Sequence, residues 1–253
     1  MVVSFILIAT FSISFIGSVL AAPEIVIVSH TSYIDSFWDS HTIIGEIQNI
    51  GDQPATNVDI TATYYNADNE VISDLGGPIV ELNVLLPGRK SPFGSSDLST
   101  DPQLIDHYSL NVSFTPCDPI PEKLEIISHN STIDPYDEYL HIIGEVQNSG
   151  DLQDPSVHVV ATCYNEAGTV VAFSADYVRT VNQKADFDII IESELPDPIT
   201  SYTLTAATDD YAAIAEIYET HVIPEFSSFI LIILTVTMVS IASLLYKRKI
   251  IKN

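Results

Sequence analysis

Apolar and polar residues alternate with a period of two through the middle of the chain. Val58, Ile60, Ala62 and Tyr64 alternate with Asp59, Thr61, Thr63 and Tyr65, and Val157, Val159, Ala161 and Cys163 repeat the apolar set. Successive side chains of a strand point to opposite faces, so the pattern predicts half-buried strands with these residues inward. Tyr108, Leu110, Val112 and Phe114 alternate with Ser109, Asn111 and Ser113, which predicts a later strand with a polar outer face. Turn-forming groups separate the runs: Asn49-Ile50-Gly51-Asp52, Ala67-Asp68-Asn69, Pro87-Gly88 and Glu166-Ala167-Gly168. Short strands at this spacing predict an all-β chain of immunoglobulin-like β-sandwiches.

The pattern is written twice. Ile43-Ile44-Gly45-Glu46-Ile47-Gln48-Asn49 returns as Ile142-Ile143-Gly144-Glu145-Val146-Gln147-Asn148, identical at six of seven positions with an offset of 99. Ser29-His30, Ile34-Asp35, Gly51-Asp52 and Tyr65-Asn66 recur at the same offset. Later the offset falls to 94, so that Lys90 and Phe93 meet Lys184 and Phe187, and Tyr108 meets Tyr202. An internal duplication with a five-residue deletion accounts for both offsets. The expected modules span 22–116 and 123–209, joined by a stiff connector over 117–122 with two prolines, and 210–223 reads as a stalk.

Uncharged runs flank this middle. Val2 to Leu20 carries no charge and leads to Ala21-Ala22-Pro23, which predicts a secretory signal peptide over 1–21; an uncleaved N-terminal anchor is the alternative. Phe226 to Tyr246 is 21 residues without a charge, long enough as a helix to span about 30 Å of hydrocarbon. Lys247, Arg248 and Lys249 follow as a membrane stop that holds the tail in the cytoplasm before any processing. Both ends place the middle outside the cell.

Charge narrows the partners. Before Phe226 there are 34 acidic against five basic residues, a net of −29. Binding to phosphate backbones rests on Lys and Arg releasing condensed counterions, so this composition argues against nucleic acid. Anionic lipid surfaces are disfavoured for the same reason, leaving cations, basic proteins and neutral polymers.

Two resemblances follow from these residues. Gly45 to Asp52, the strand and turn from Val58 to Val71, Leu86-Pro87-Gly88 followed by Phe93, and the closing strand from Tyr108 resemble the FxLYD family of extracytoplasmic β-sandwich modules. The five places of its motif fall on Ala62 to Asn66 and Ala161 to Asn165, where the tyrosines Tyr65 and Tyr164 are kept. That resemblance implies a fold and no common enzymatic activity. Pro224, Glu225 and Phe226, set against the apolar span and its basic end, resemble the PEF-type sorting tails (224–253) of archaeal surface proteins. This implies a membrane-embedded sorting enzyme as a partner and transfer to a lipid or surface anchor; an ordinary single-pass anchor is the alternative.

Candidate chemistry is sparse. No Gly-x-Ser-x-Gly, His-Glu-x-x-His, Walker loop or Cys-x-x-Cys occurs, so the chain reads as non-enzymatic and without a required cofactor. His30 and His129 are the two histidines that recur, and are expected to hydrogen-bond a neighbouring loop, with metal binding as the alternative. Calcium is the one metal whose oxygen ligands are abundant; its weak candidates are Asp134, Asp137 and Glu138, read against a solvated loop. The Asn66 to Glu70 segment is explained by turn chemistry. Phe37 and Trp38, with Tyr136 and Tyr139, occupy equivalent early loops and are candidates for contact with a protein or glycan of the cell envelope; the edge of a sandwich core is the alternative. Asn111 and Asn130 head N-glycosylation sequons, with Asn111 outward on its strand and Asn130 expected in a loop. Cys163 points inward, and a bridge to Cys117 requires the connector to fold onto the second sandwich. The expectation is a non-enzymatic, cell-surface-anchored protein with a binding or structural role; the alternative is a calcium-dependent adhesion or assembly module.

Overall fold

The computed structural model describes residues 22–220, apart from 36, 77–78, 135, 137–138, 154, 181–182 and 193–197. The expected signal peptide, the sorting motif Pro224-Glu225-Phe226, the apolar span and the basic stop lie outside these residues. Among the described residues no helix is long and apolar enough to cross a membrane.

The chain is all-β. The first repeat contributes β1 (Ile25–Asp35), β2 (Ser40–Asn49), β3 (Ala55–Tyr65), β4 (Val71–Gly76), β5 (Ile79–Val80), β6 (Val84–Leu85), β7 (Lys90–Asp97) and β8 (His107–Pro116). One sheet runs β1-β2-β7-β5, and the other runs β4-β3-β6 with β8 also paired to β3. Ile43, Ile47 and Phe93 from one sheet meet Ile60, Ala62 and Tyr64 from the other in a single buried cluster. The inward set of β3 is the one the alternation predicts.

The second repeat contributes β9 (Glu122–Ile133), β10 (Leu140–Asn148), β11 (Ser156–Tyr164), β12 (Val170–Arg179), β13 (Lys184–Ile191), β14 (Ser201–Ala207), β15 (Ala212–Ala213) and β16 (Ile217–Thr220). Its strands follow the order β12-β11-β14-β15-β9-β10-β13, with β16 on β14. The short β15 lies antiparallel to β14 and parallel to β9, and so joins two halves that would otherwise be separate layers. Ile142 and Phe187 from one half pack with Val157, Val159, Ala161 and Cys163 from the other. The stalk expected over 210–223 is corrected as far as Thr220, the last described residue. Tyr211 and Ala213 are buried in the second core, and β16 extends the sheet as far as Thr220, because Tyr211, Ala212 and Ala213 supply apolar surface that the core takes up.

The repeated heptad has a packing reason at its glycine and at its asparagine. Gly45 pairs across the sheet with Phe93, and a Cβ there would sit 2.4 Å from the Phe93 ring and 2.6 Å from the carbonyl oxygen of Ser29. At Gly144 the same construction meets the Phe187 ring at 2.5 Å and the Ser128 carbonyl at 2.2 Å. In both copies the first strand bulges beside this site and pushes the serine carbonyl toward the glycine. Asn49 and Asn148 close the motif. Each is buried and accepts from the N–H of the following glycine while donating to a loop carbonyl, which ties the turn to the sheet.

The two repeats are packed face to face. β2 and β11 are each buried on both faces, which period-two alternation alone would not give. Ile44 joins Tyr164 and Val170, with Tyr33 and Phe173 against them, and Val160 enters the first core cluster. Gly94 makes room for this contact, since a Cβ on it would meet the Phe173 ring at 2.7 Å. The connector is therefore one strut beside a broad interface.

Candidate functional site

Two hairpin tips present aromatic side chains. Asp35 ends β1, and its Oδ1 accepts from the N–H groups of Phe37 and Trp38 at 2.8 and 3.0 Å. This closed turn, continued by Asp39 at φ 47°, holds both rings outward. Asp134, at the same place in the second repeat, accepts from Tyr136 N–H at 2.7 Å, and its own N–H donates to the Tyr139 carbonyl. Phe37, Trp38 and Tyr136 are 80%, 66% and 96% exposed, and Tyr139 is also exposed, so these rings are not the edge of the sandwich core. Phe37 and Trp38 pack edge to face with centroids 4.9 Å apart. An apolar pair that water could reach and that a turn holds in place presents a surface ready for a partner.

Of the three calcium candidates, only Asp134 lies among the described residues. The Asp134 carboxylate serves its turn, and Asp137 and Glu138 lie outside the described residues. Among the described residues no three His, Cys, Asp or Glu side chains converge as metal ligands would. Asn66 Oδ1 accepts from the N–H groups of Asp68 and Glu70, and Asn165 does the same for Ala167 and Thr169, with Asn69 and Gly168 at positive φ.

The recurring histidines cross the sandwich instead of capping a loop. His30 Nδ1 lies 2.8 Å from Tyr108 Oη, and His129 Nδ1 lies 3.0 Å from Tyr202 Oη. A strand tyrosine on the facing sheet reaches the imidazole before any loop does. Cys117 and Cys163 are both free thiols, and burial pushes Cys163 up to about 12. Asn111 and Asn130 are both exposed on strands, opposite Thr61 and Ile143 respectively. Asn130 thus belongs to β9, where the sequence suggests a loop.

Three polar groupings escape a reading of the sequence. Glu46 is 1% exposed and accepts from Lys90 Nζ at 2.7 Å and from the Tyr164 phenol of the other repeat. Burial, with the Glu46 carboxylate beside it, pushes the Tyr164 phenol far above its ordinary range. Near this point Arg89 donates to Glu122 and to the carbonyls of Ala213 and Ile214, and Lys90 N–H donates to Glu216.

Along the same seam a cavity of about 310 Å³ is lined by Glu81, Asn83, His158, Tyr177 and Asp209, among others. His158 Nε2 stands 3.1 Å from Glu81, its ring stacks on Tyr177 at 4.1 Å, and Asn83 donates to Asp209.

The third grouping is inside the first sandwich. Among the described residues, Ser40 Oγ, His41 Nδ1, Tyr64 Oη and Asp97 Oδ2 are buried without a hydrogen-bond partner. The second repeat has Tyr139, Leu140, Cys163 and Ile191 in these places. Burial lowers His41, against the pull of Asp97, and raises Tyr64 to about 12. Comparing the two copies position by position would have found this cluster.

No family model and no curated protein matches the chain. Among solved structures it is similar to a glycosyl hydrolase family 2 member from Bacteroides cellulosilyticus, with 12% identity and a TM-score of 0.31 over 72% of this chain and 28% of the other. It is also similar to Bacteroides uniformis beta-glucuronidase 2, with 12% identity and a TM-score of 0.29 over 76% of this chain and 26% of that one. The chain spans about a quarter of the length of these enzymes, and likeness at this level carries no argument about activity.

Proposed function

We propose that the chain is a non-enzymatic, extracytoplasmic protein held at the cell surface by its C-terminal tail, with a binding or structural role in the cell envelope. Its two modules are immunoglobulin-like sandwiches of the FxLYD type, and the PEF-type tail is the substrate of a sorting enzyme. The partner is an envelope protein or glycan, met by the Phe37–Trp38 pair and by Tyr136 and Tyr139.

The observation that carries this reading is the repetition of one device. In each repeat an aspartate at the end of the first strand folds a turn that exposes aromatic rings. Aromatic faces stack on sugar rings and anchor protein contacts, and they do so without a catalytic group nearby. The packed interface between the repeats supports the reading, because it fixes the two tips relative to one another and lets one partner engage both.

Retention of the full chain on fractionated envelope protein and polysaccharide tests it. Trp38→Ala is expected to lose retention at least tenfold while keeping the unfolding temperature of the parent. Equal retention by Trp38→Ala and by the Phe37→Ala, Tyr136→Ala double variant would overturn it.

A further inference from the structure

The contact between the repeats joins two unlike faces. The outer face of β1-β2-β7 in the first repeat lies on the outer face of β12-β11-β14 in the second. Because the repeats are copies, the chain carries each face twice. Among the described residues, nothing packs on the outer face of β9-β10-β13 or on the outer face of β4-β3-β8.

The open faces keep five of the residues that make the internal contact. At the heart of that contact Ile44 meets Tyr164 and Val170, and the Glu46 carboxylate takes the Tyr164 phenol with Lys90 beside it. The counterparts of Ile44, Glu46 and Lys90 are Ile143, Glu145 and Lys184, identical in type. Lys184 Nζ stands 2.5 Å from Glu145, and Ile143 is exposed beside them, with Ile127 and Ile190 exposed on the neighbouring strands. The counterparts of Tyr164 and Val170 are Tyr65 and Val71, again identical. Tyr65 pairs with Val71 across the hairpin as Tyr164 pairs with Val170, and both pairs follow the same register shift. Tyr65 Oη lies 3.3 Å from Ser109 Oγ, as Tyr164 Oη lies 3.2 Å from Thr203 Oγ1. Val71 is exposed.

We propose that these two faces are the halves of a head-to-tail contact between copies of this chain, with Ile143, Glu145 and Lys184 of one copy meeting Tyr65 and Val71 of the next. The two halves differ, so the contact is heterologous and does not close on itself in a dimer; it extends. It is weaker than the internal contact. Thr61 replaces Val160 at the centre, Asp74 and Thr132 occupy the places of Phe173 and Tyr33, and Asp186 and Asp188 replace Pro92 and Gly94 at the rim. The carboxylates oppose the approach of a second acidic copy until salt screens them. Asn111 stands on one open face and Asn130 on the other, so a glycan at either site blocks the contact.

The test uses the full, unglycosylated chain in detergent micelles at about 0.5 M salt, where the Debye length is only a few ångströms. Sedimentation should show species beyond the dimer that grow with concentration. Val71→Asp and Ile143→Asp should each sediment as a single copy. Mixed in equal amounts they should give a one-to-one dimer and nothing larger, since each variant brings one intact face. Glu145→Gln, a milder change on the same face, should weaken association about tenfold through loss of a charge-assisted hydrogen bond. A parent that stays a single copy at every concentration would overturn the proposal. So would association that Val71→Asp and Ile143→Asp leave unchanged, which would place it in the apolar segments, or a mixture that fails to pair.

Discussion

The phenol of Tyr164 donates to the carboxylate of Glu46, 118 residues earlier in the chain, and Lys90 completes the group at 2.7 Å. Its duplicate, Glu145 with Lys184, stands on an open sheet face. The same two residue types are thus an interface element in one copy and a surface pair in the other.

Removing Glu46 should therefore cost far more than removing Glu145. Glu46→Ala strands the Lys90 ammonium and leaves the Tyr164 phenol to Thr203 Oγ1, 3.2 Å away. Because Lys90 is still 34% exposed, the expected loss is about 2–3 kcal/mol, below the range for a fully buried pair. Glu145→Ala should cost under about 1 kcal/mol. Denaturant unfolding of the two variants beside the parent measures both.

Gly144 should tolerate no side chain, whereas Gly88 should. Alanine at Gly144 places its Cβ against the Ser128 carbonyl, which is backbone and cannot swing away, so a loss of several kcal/mol is expected and the second repeat should unfold at a visibly lower temperature. At Gly88, φ is +80° with nothing within 4 Å, and alanine should cost about 1 kcal/mol from backbone strain alone.

His41 should make the protein lose stability on mild acidification. Its folded pKa lies below that of the unfolded chain because burial disfavours the imidazolium, so the unfolded state binds more protons as pH falls below about 6.5. His41→Leu, which installs the residue the second repeat uses, should unfold at or above the temperature of the parent at pH 7.5. Its advantage should widen by pH 5.5. Thermal unfolding across that range shows whether it does.

Glu216 acts in the opposite sense at higher pH. Burial raises its folded pKa, with partial relief from Lys90 N–H and Arg89, so its ionisation lowers stability as pH rises through the folded value. Glu216→Gln keeps an acceptor for Lys90 N–H, which lies 3.2 Å from Oε1. The variant should be more stable than the parent at pH 7 to 8, and the difference should vanish near pH 4.

What could be read from the sequence was the inward face of each strand. Ile60, Ala62 and Tyr64, and Val157, Val159, Ala161 and Cys163, are all fully buried where alternation placed them. Alternation does not say which outer faces find a second partner, and so it missed Val160 and Tyr164. Adjacent Val159 and Val160, apolar on both faces of one strand, were the available signal. The Tyr211 to Thr220 segment reads as a stalk because its apolar residues run together from Tyr211 to Ala215 and set no period, yet two alanines suffice to bridge β14 and β9. The exposed tips were legible as loops with aromatics, whereas the aspartate that folds each turn became visible only with its acceptor geometry.

Trp38 is the single tryptophan of the chain and lies at the centre of the proposed contact, so its fluorescence reports on that site alone. The most direct test is a titration of the full chain with envelope polysaccharide and envelope protein fractions, following the emission maximum and its quenching by iodide. Binding through the hairpin tips predicts a red-shifted, readily quenched emission that moves to shorter wavelength and becomes protected as one fraction is added. A fraction that co-sediments with the protein while the emission and its quenching stay unchanged would contradict the account.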